Sequence, residues 1–306
     1  LAPYAPINQL FIFEQLFFFF FNNLLEKSQR KEWIMMKKEE LLTEQNLFKG
    51  SFLPYTSRKN RKWEMVTDDV WVYTNRIVNI CILQNESNEL IMVDAGMPKD
   101  YKIIIEDITK KFNGRKPVAI ILTHGHFDHV GSLAPLLAEW DIPVFASTEE
   151  IPYLTGLKDY MKGKFSVKGL VAMLSKTFPN RSIHLKSNLF PLPINNSVPY
   201  LEEWEWIATP GHTPGHVSLH NKKERILIAG DAVVTVKQES FFAVLTQRYS
   251  LNGPPAYFTP NTREAKKSIV KLLQFPIKYL VTGHGPVIKR EEFIEKKLKK
   301  LLKEYD

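Results

Sequence analysis

The residues Thr123-His124-Gly125-His126-Phe127-Asp128-His129 place three imidazoles and one carboxylate within six positions of the chain. Uncharged imidazole nitrogen and carboxylate oxygen are ligands that suit zinc and its first-row neighbours. A histidine-rich surface loop is the alternative, but the apolar run Val118–Leu122 leads directly into the motif and a helix-like pattern begins at Val130. Ligands at the carboxyl end of a strand lie where α/β folds place their chemistry. The stretch therefore predicts a metal site.

The composition indicates a globular protein. The chain of 306 residues is long enough for one large domain or two ordinary ones, each with a buried core. Its single cysteine, Cys81, excludes internal disulfides and disfavours a thiol-rich metal site. The formal net charge is +8, but the basic residues of 27–62 and 289–306 are interspersed with acids, a pattern typical of solvated faces. We therefore expect a small-molecule substrate and not a nucleic acid.

Residues 1–62 are interpreted as an N-terminal extension, either partly disordered or encoded upstream of the working protein. The run Leu10–Phe21 contains five consecutive phenylalanines but is interrupted by two polar residues. It is shorter than the about 20 apolar residues that a membrane-spanning helix needs, and it lacks the basic start and cleavage site of a secretory signal. We expect a cytoplasmic protein that starts at Met35 or Met36. A peripheral membrane contact through the phenylalanines is the alternative.

From Trp63 onward, strand-like and helical patterns alternate along the chain. An apolar stripe at helical spacing predicts a helix over 101–112, which ends before Gly114. Asp94 precedes this helix at the end of an apolar run, and it either orients a ligating histidine or caps the helix. Further elements are predicted from short apolar runs and turn residues: strands at 70–73, 77–83, 90–93 and 142–146, and a helix at 133–140. The alternation indicates a layered α/β fold.

The segment 148–199 is interpreted as a helical insertion over the site. Its short helical pieces, clearest at 167–178, are separated by glycines and prolines. Such segments form lids or substrate walls, and Tyr153, Tyr160 and Met173 are the predicted lining residues. Packing against the main sheet is the alternative for each of the three.

Three later motifs repeat the arrangement of the first. One strand-like run leads to His212 in a loop stiffened by prolines and glycines, a second ends at Asp231, and a third leads to His284 between two glycines. We expect these three residues to be ligands. His216 is expected either to hydrogen-bond within the sheet or to support the site from behind the ligands, and His220 is expected to be a surface residue at a strand end.

Together the motifs resemble the metallo-β-lactamase superfamily over roughly Val66–Arg290, because five separated motifs occur in the family's order. The resemblance implies an α/β (α+β) fold built as a four-layer αββα sandwich, with the site at one edge of two β-sheets. It also implies two metal ions, taken as zinc, with iron or manganese as alternatives. One ion would be bound by His124, His126 and His212, the other by Asp128, His129 and His284, and Asp231 would bridge them.

His212 and Asp231 make the chain more similar to the glyoxalase II and lactonase-type hydrolases than to the β-lactamases proper. This branch implies hydrolysis of an ester, thioester or lactone by a water shared between two metals, with Asp128 orienting the water and passing a proton to the leaving group. The alternatives are a mononuclear iron persulfide dioxygenase, a phosphodiesterase of the same superfamily and a metal-stabilised binding module. The expected hydrolase domain covers 63–290, and a basic helix follows at 291–306. The sequence leaves the oligomeric state open.

Overall fold

The computed structural model describes residues 56–161, 183–185 and 187–304. Within them the elements are, in chain order, β1 (Lys62–Thr67), β2 (Val70–Asn75), β3 (Val78–Gln84), β4 (Leu90–Val93), α1 (Tyr101–Lys111), β5 (Pro117–Ile121), α2 (Phe127–Val130), α3 (Leu133–Trp140), β6 (Val144–Ala146), α4 (Ile151–Leu154), β7 (Leu189–Pro191), β8 (Ser197–Val198), β9 (Leu201–Ala208), β10 (Val217–Asn221), β11 (Ile226–Ile228), β12 (Val234–Val236), α5 (Phe241–Thr246), β13 (Tyr249–Asn252), a 3-10 turn (Ala256–Phe258), α6 (Thr262–Leu272), β14 (Tyr279–Val281) and α7 (Glu291–Lys303). The predicted extension up to residue 55 and the helix predicted at 167–178 lie outside the described residues.

Seven of the described strands form the first sheet, in the order β1-β2-β3-β4-β5-β6-β7. The pairings from β1 to β4 are antiparallel, and those from β4 to β7 are parallel, with Val93 opposite Ile121. Parallel neighbours need a crossover connection, which contains α1 between β4 and β5 and α3 between β5 and β6. The carboxyl ends of β4 and β5 therefore lie at one sheet edge, where Asp94 and the His124 motif follow.

The second sheet has the order β14-β11-β10-β9-β8. Its strand β11 pairs in parallel with β14, with Ile228 opposite Val281, and α6 lies between these strands in the chain. Their carboxyl ends consequently share an edge too, and this edge presents Asp231 and His284. A separate two-stranded ladder joins β12 to β13.

Side-chain alternation along β3 shows how the layers are built. Ile80 and Ile82 belong to a core shared with α1 and α3, whereas Cys81 and Leu83 belong to a second core between the two sheets. Alternate side chains of a strand point to opposite faces, so one strand supplies both cores. Each fully buried aliphatic side chain of this kind contributes about 1.5–3 kcal/mol.

A third core lies on the outer face of the second sheet. Ile269 of α6 and Leu298 of α7 pack there with Leu227 and Leu280. Three cores separate four layers, in the order helices, sheet, sheet, helices, which confirms the predicted αββα sandwich. Among the described helices, none is long and apolar enough to span a membrane.

His220 is buried, whereas the sequence predicted a surface residue. It lies on β10 opposite Leu227 and is only 1% exposed. Its Nε2 lies 3.1 Å from the carbonyl oxygen of Pro276, and the Phe275 ring lies 5.1 Å from the imidazole between centroids. The turn after α6 therefore covers this part of the sheet, and the local sequence around His220 carries no sign of that cover.

The segment 148–199 was predicted as a helical insertion. Its described residues contain strands as well as a helix. It contains α4, but β7 and β8 fall inside it as well and pair with β6 and β9. Its last part is therefore integrated into both sheets. Of the prolines that suggested loops there, Pro191 is the last residue of β7.

Candidate metal centre

All seven residues predicted as ligands meet at the common edge of the two sheets. The loop after β5 carries His124 and His126, and α2 presents Asp128 and His129 one turn later. The second sheet brings the other three: His212 in the turn between β9 and β10, Asp231 after β11 and His284 after β14. Six of the seven are buried, and the Asp128 side chain retains 13% exposure.

Two groups of ligand atoms can be distinguished. The three-histidine half consists of His124, His126 and His212, whose ligand atoms all lie within 4.8 Å of one another. The carboxylate half consists of Asp128, His129 and His284, which meet the same limit. In the first half His126 Nδ1 lies 2.9 Å from His212 Nε2, and in the second His284 Nε2 lies 3.2 Å from Asp128 Oδ2.

Asp231 stands between the halves. Its Oδ2 lies 3.5 Å from His212 Nε2 and 3.4 Å from His284 Nε2, while its Oδ1 lies 3.7 Å from His129 Nε2. One carboxylate therefore faces nitrogens of both groups. This position agrees with the bridging role that the family resemblance implied.

Buried atoms without partners test whether these residues fit a metal. His124 Nε2, His129 Nε2 and Asp231 Oδ1 are buried and have no hydrogen-bond partner. Each unsatisfied polar atom of this kind costs about 1–3 kcal/mol. These three residues also form a group of potential ligands within 4.8 Å of one another. Metal bound in both halves, with Asp231 shared between them, would satisfy all three atoms, and nitrogen and oxygen donors suit zinc and its neighbours.

Hydrogen bonds on the far side of the imidazoles turn the remaining nitrogens inward. His129 Nδ1 lies 2.8 Å from Asp94 Oδ2, and His284 Nδ1 lies 3.0 Å from the carbonyl oxygen of Ile77. His212 Nδ1 similarly lies 3.3 Å from Thr259 Oγ1. Partners of this kind fix the tautomer and leave Nε2 available as a ligand atom.

Asp94 resolves the choice that the sequence left open. It does not cap α1, because Asp100 occupies that position. Instead its carboxylate lies against His129, and it accepts a hydrogen bond from the Thr123 backbone N–H at 2.8 Å. The contact with His129 favours the orienting role over the cap. Its backbone has a φ of 63°, in the left-handed region that aspartate tolerates better than most residues.

His216 supports Asp231 in the way the sequence suggested. Its Nε2 accepts the backbone N–H of Asp231 at 2.9 Å, and its Nδ1 lies 2.8 Å from Thr209 Oγ1. The imidazole therefore fixes the loop that presents Asp231. Burial lowers the pKa of His216 to about 3, which keeps it neutral and able to accept.

The two halves differ in charge. Burial lowers the pKa of His124 and His212 well below 6.5 and that of His126 to about 4, so these rings are neutral, as metal ligation requires. In the carboxylate half, burial lowers the pKa of His284, but Asp231 and Asp128 outweigh it and the net shift is well upward. For Asp128 burial acts in the opposite direction and raises the pKa. The neighbouring His129 and His284 outweigh this effect, so the net pKa lies below its usual value.

A cavity of about 230 Å³ opens beside His126 and His212. The Tyr153 and Tyr160 rings, predicted as wall residues, lie in it and are stacked with centroids 4.6 Å apart. The remaining lining residues are Asp159, Met161, Pro214, Tyr257, Phe258 and Pro260. Met173, the third predicted wall residue, lies outside the described residues.

Sequence reasoning missed Glu150 and Thr259. Glu150 contacts both histidine loops through its buried carboxylate, and Thr259 contacts the ring of His212. Neither residue belongs to a ligand motif. Glu150 follows the exposed Glu149, and the sequence offers no signal that separates these two neighbouring glutamates.

Comparison with known proteins agrees with the fold. A family model described as the metallo-beta-lactamase superfamily matches residues 73–284, and the chain belongs to this superfamily. One relative is the probable metallo-hydrolase YflN of Bacillus subtilis (strain 168), 45% identical over 238 residues, which cover 76% of this chain and 90% of that protein.

Two more distant matches extend the comparison. The hydroxyacylglutathione hydrolase GloC of Haemophilus influenzae is 26% identical over 152 residues, covering 50% of this chain and 64% of the relative. The crystal structure of BJP-1, a subclass B3 metallo-beta-lactamase of Bradyrhizobium japonicum, superposes with a TM-score of 0.56 at 18% identity and covers 83% of this chain and 94% of that one. The last match concerns the fold alone.

Proposed function

We propose that the protein is a dinuclear metallo-hydrolase that cleaves an ester, thioester or lactone. The observation that carries the proposal is the meeting of two complete ligand groups around Asp231, with three buried ligand atoms that lack any other partner. The three-histidine half would hold one ion and the carboxylate half the other, with Asp231 shared. Zinc is the proposed metal because imidazole and carboxylate donors suit it, and iron or manganese would accept the same set.

Bound metal ions would supply an activated water and a Lewis acid for the substrate oxygen. Asp128 is the proposed catalytic residue. It is the most exposed of the seven candidate ligands, and its Oδ2 lies 3.2 Å from His284 Nε2. In the proposed reaction Oδ1 would accept the proton of the attacking water. Its lowered pKa keeps it ionised, as a group that accepts a proton from water and returns it to the leaving group must be.

The cavity supports a substrate with an apolar acyl or aryl part. Its described lining is dominated by aromatic, proline and methionine side chains, with Asp159 as an acidic member. Apolar walls bind apolar groups, so the cavity suits esters, thioesters and lactones that carry an apolar part. YflN, named as a probable metallo-hydrolase, supports metal-dependent hydrolysis, and GloC, named as a hydroxyacylglutathione hydrolase, supports a thioester among the candidate substrates.

Metal content and a substrate panel test the proposal together. Protein purified without added metal should contain about two zinc per chain and hydrolyse members of a panel of aryl esters, acyl-homoserine lactones and glutathione thioesters. One iron per chain with oxygen uptake on glutathione persulfide would instead identify a dioxygenase. Hydrolysis confined to phosphodiesters, or metal binding with no turnover of any panel member, would also contradict the proposal.

A further inference from the structure

Glu150 is a buried carboxylate that accepts four hydrogen bonds. It precedes α4, and the residue is 1% exposed. Oε1 accepts from the Gly125 backbone N–H at 2.9 Å and from the Tyr160 hydroxyl. Oε2 accepts from the Gly215 backbone N–H and from Thr213 Oγ1, both at 3.0 Å. An ionised carboxylate is an acceptor only, so four donors satisfy it and offset the cost of burying it.

Three of these four donors lie on the two loops of the three-histidine half, and the fourth is the hydroxyl of Tyr160. Gly125 separates His124 from His126, while Thr213 follows His212 directly and Gly215 lies two residues further on. Ser147 adds a link of the same kind, since its Oγ donates to the carbonyl oxygen of Gly215 at 2.6 Å. The segment before α4 thus joins two loops that are more than eighty residues apart in the sequence.

The close approach requires glycine at both loop positions. A Cβ atom on Gly215 would lie 2.6 Å from Glu150 Oε2, and one on Gly125 would lie 2.8 Å from Leu154 Cδ2. Real Cβ atoms do not approach other heavy atoms so closely. The two glycines therefore let the backbone reach the carboxylate, which is a packing reason for their presence beside the ligands.

We propose that Glu150 is the positioning residue of the three-histidine half, setting the separation between the His124–His126 loop and the His212 loop. It does so through backbone and hydroxyl groups and touches neither the metal ligands' nitrogens nor the substrate. Three of its four partners lie on the loops of this half. The fourth is Tyr160, whose ring centroid lies 4.6 Å from that of His126. The inference rests on the metal centre of the proposed function.

The isosteric variant Glu150→Gln tests the role without changing the volume. Glutamine has one acceptor oxygen, and its amide would direct two N–H groups at two of the four donors. One loop therefore loses its anchor. We expect affinity for one of the two metals to fall about 10–100-fold, the usual cost of losing a group that orients ligands, while affinity for the other stays within twofold.

The measurement is competition between metal-free protein and a chromophoric chelator for zinc and for cobalt, which needs no substrate. Glu149→Gln is the matched control, because it makes the same chemical change one residue earlier on an exposed side chain. In a His284→Ala background, which weakens the carboxylate half, Glu150→Gln should weaken the metal that remains. Unchanged affinity for both metals, or an equal loss of both, would overturn the inference.

A second variant keeps the test decisive if Glu150→Gln does not fold. Tyr160→Phe removes one of the four donors and should weaken the metal of the three-histidine half, with a normal melting temperature. No effect of Tyr160→Phe on either affinity would contradict the inference in that case. If the wild-type protein binds two metals but hydrolyses nothing, the proposed reaction is refuted while the role of Glu150 is not. The two failures are therefore distinguishable.

Discussion

The two halves of the centre are held by different means. The three-histidine half is neutral, borders the aromatic cavity and depends on two glycine-containing loops that Glu150 joins. The carboxylate half is charged, and its histidines are anchored to the first sheet through Asp94 and the Ile77 carbonyl. A half built from loops can vary in position, whereas a half anchored to strands is fixed by the sheet itself.

This difference assigns separate tasks to the halves. In the proposed reaction the three-histidine half would shape the surface against which the substrate lies, because His126 and His212 line the cavity. The carboxylate half would supply the charged groups, among them Asp128, that hydrolysis uses. Asp231 couples the two, since it faces nitrogens of both. Variants that act on one half, the other or both should therefore be distinguishable.

The largest effect is expected from Asp128→Ala. The change removes a ligand of the carboxylate half together with the proposed proton acceptor, and general acid–base groups contribute about 10²–10⁴-fold. The turnover number should fall by at least that factor, while circular dichroism shows the fold retained. Kinetics on the best ester or lactone measure it. Asp68→Ala, at an exposed turn between β1 and β2, is the control, and activity within tenfold of wild type would refute the assigned role.

Metal removal should lower stability through both halves. At a free metal concentration about 1,000 times the dissociation constant, binding stabilises the folded state by about 4 kcal/mol. For a domain of this size each kcal/mol corresponds to about 2–4 °C, so chelation should lower the melting temperature by roughly 8–16 °C. Calorimetry with and without chelator measures the shift. Equal melting temperatures would show that the buried ligand atoms do not bind metal in the folded protein.

Asp94→Asn should affect both halves, in contrast to Glu150→Gln. Asp94 lies against His129 in one half, and through Thr123 it also holds the loop that begins the other. Thr123 Oγ1 in turn lies 3.1 Å from His124 Nδ1. Affinity for both metals should fall, by about 10–100-fold at the carboxylate half and by less at the other. Chelator competition measures both, and a loss confined to the three-histidine half would reverse the assignment.

The sequence indicated candidate ligands because several of them follow a strand beside turn-forming residues, a pattern that is local. His124, Asp231 and His284 could be found in this way, whereas alternating apolar runs indicated only a layered α/β fold and the family resemblance implied the four-layer order. Glu150 could not be found, because its role depends on two loops that meet only after both sheets have packed. The prediction that His220 is exposed was wrong for the same reason, because a turn that is distant in the sequence covers this residue. Local patterns thus indicate candidate ligands, while the groups proposed to position them depend on tertiary contacts.

Thr259→Val should give the smallest effect. Thr259 Oγ1 donates to the carbonyl oxygen of Pro255 at 2.7 Å and accepts from His212 Nδ1 at 3.3 Å, a long contact. A single hydrogen bond contributes about 0.5–1.5 kcal/mol, so affinity for metal at the three-histidine half should fall about two- to tenfold. Chelator competition measures this loss. Thr262→Val is the control, because Thr262 is an exposed threonine three residues later in the chain. A loss as large as that of Glu150→Gln would mean that the segment 253–260, and not the carboxylate of Glu150, determines the position of His212.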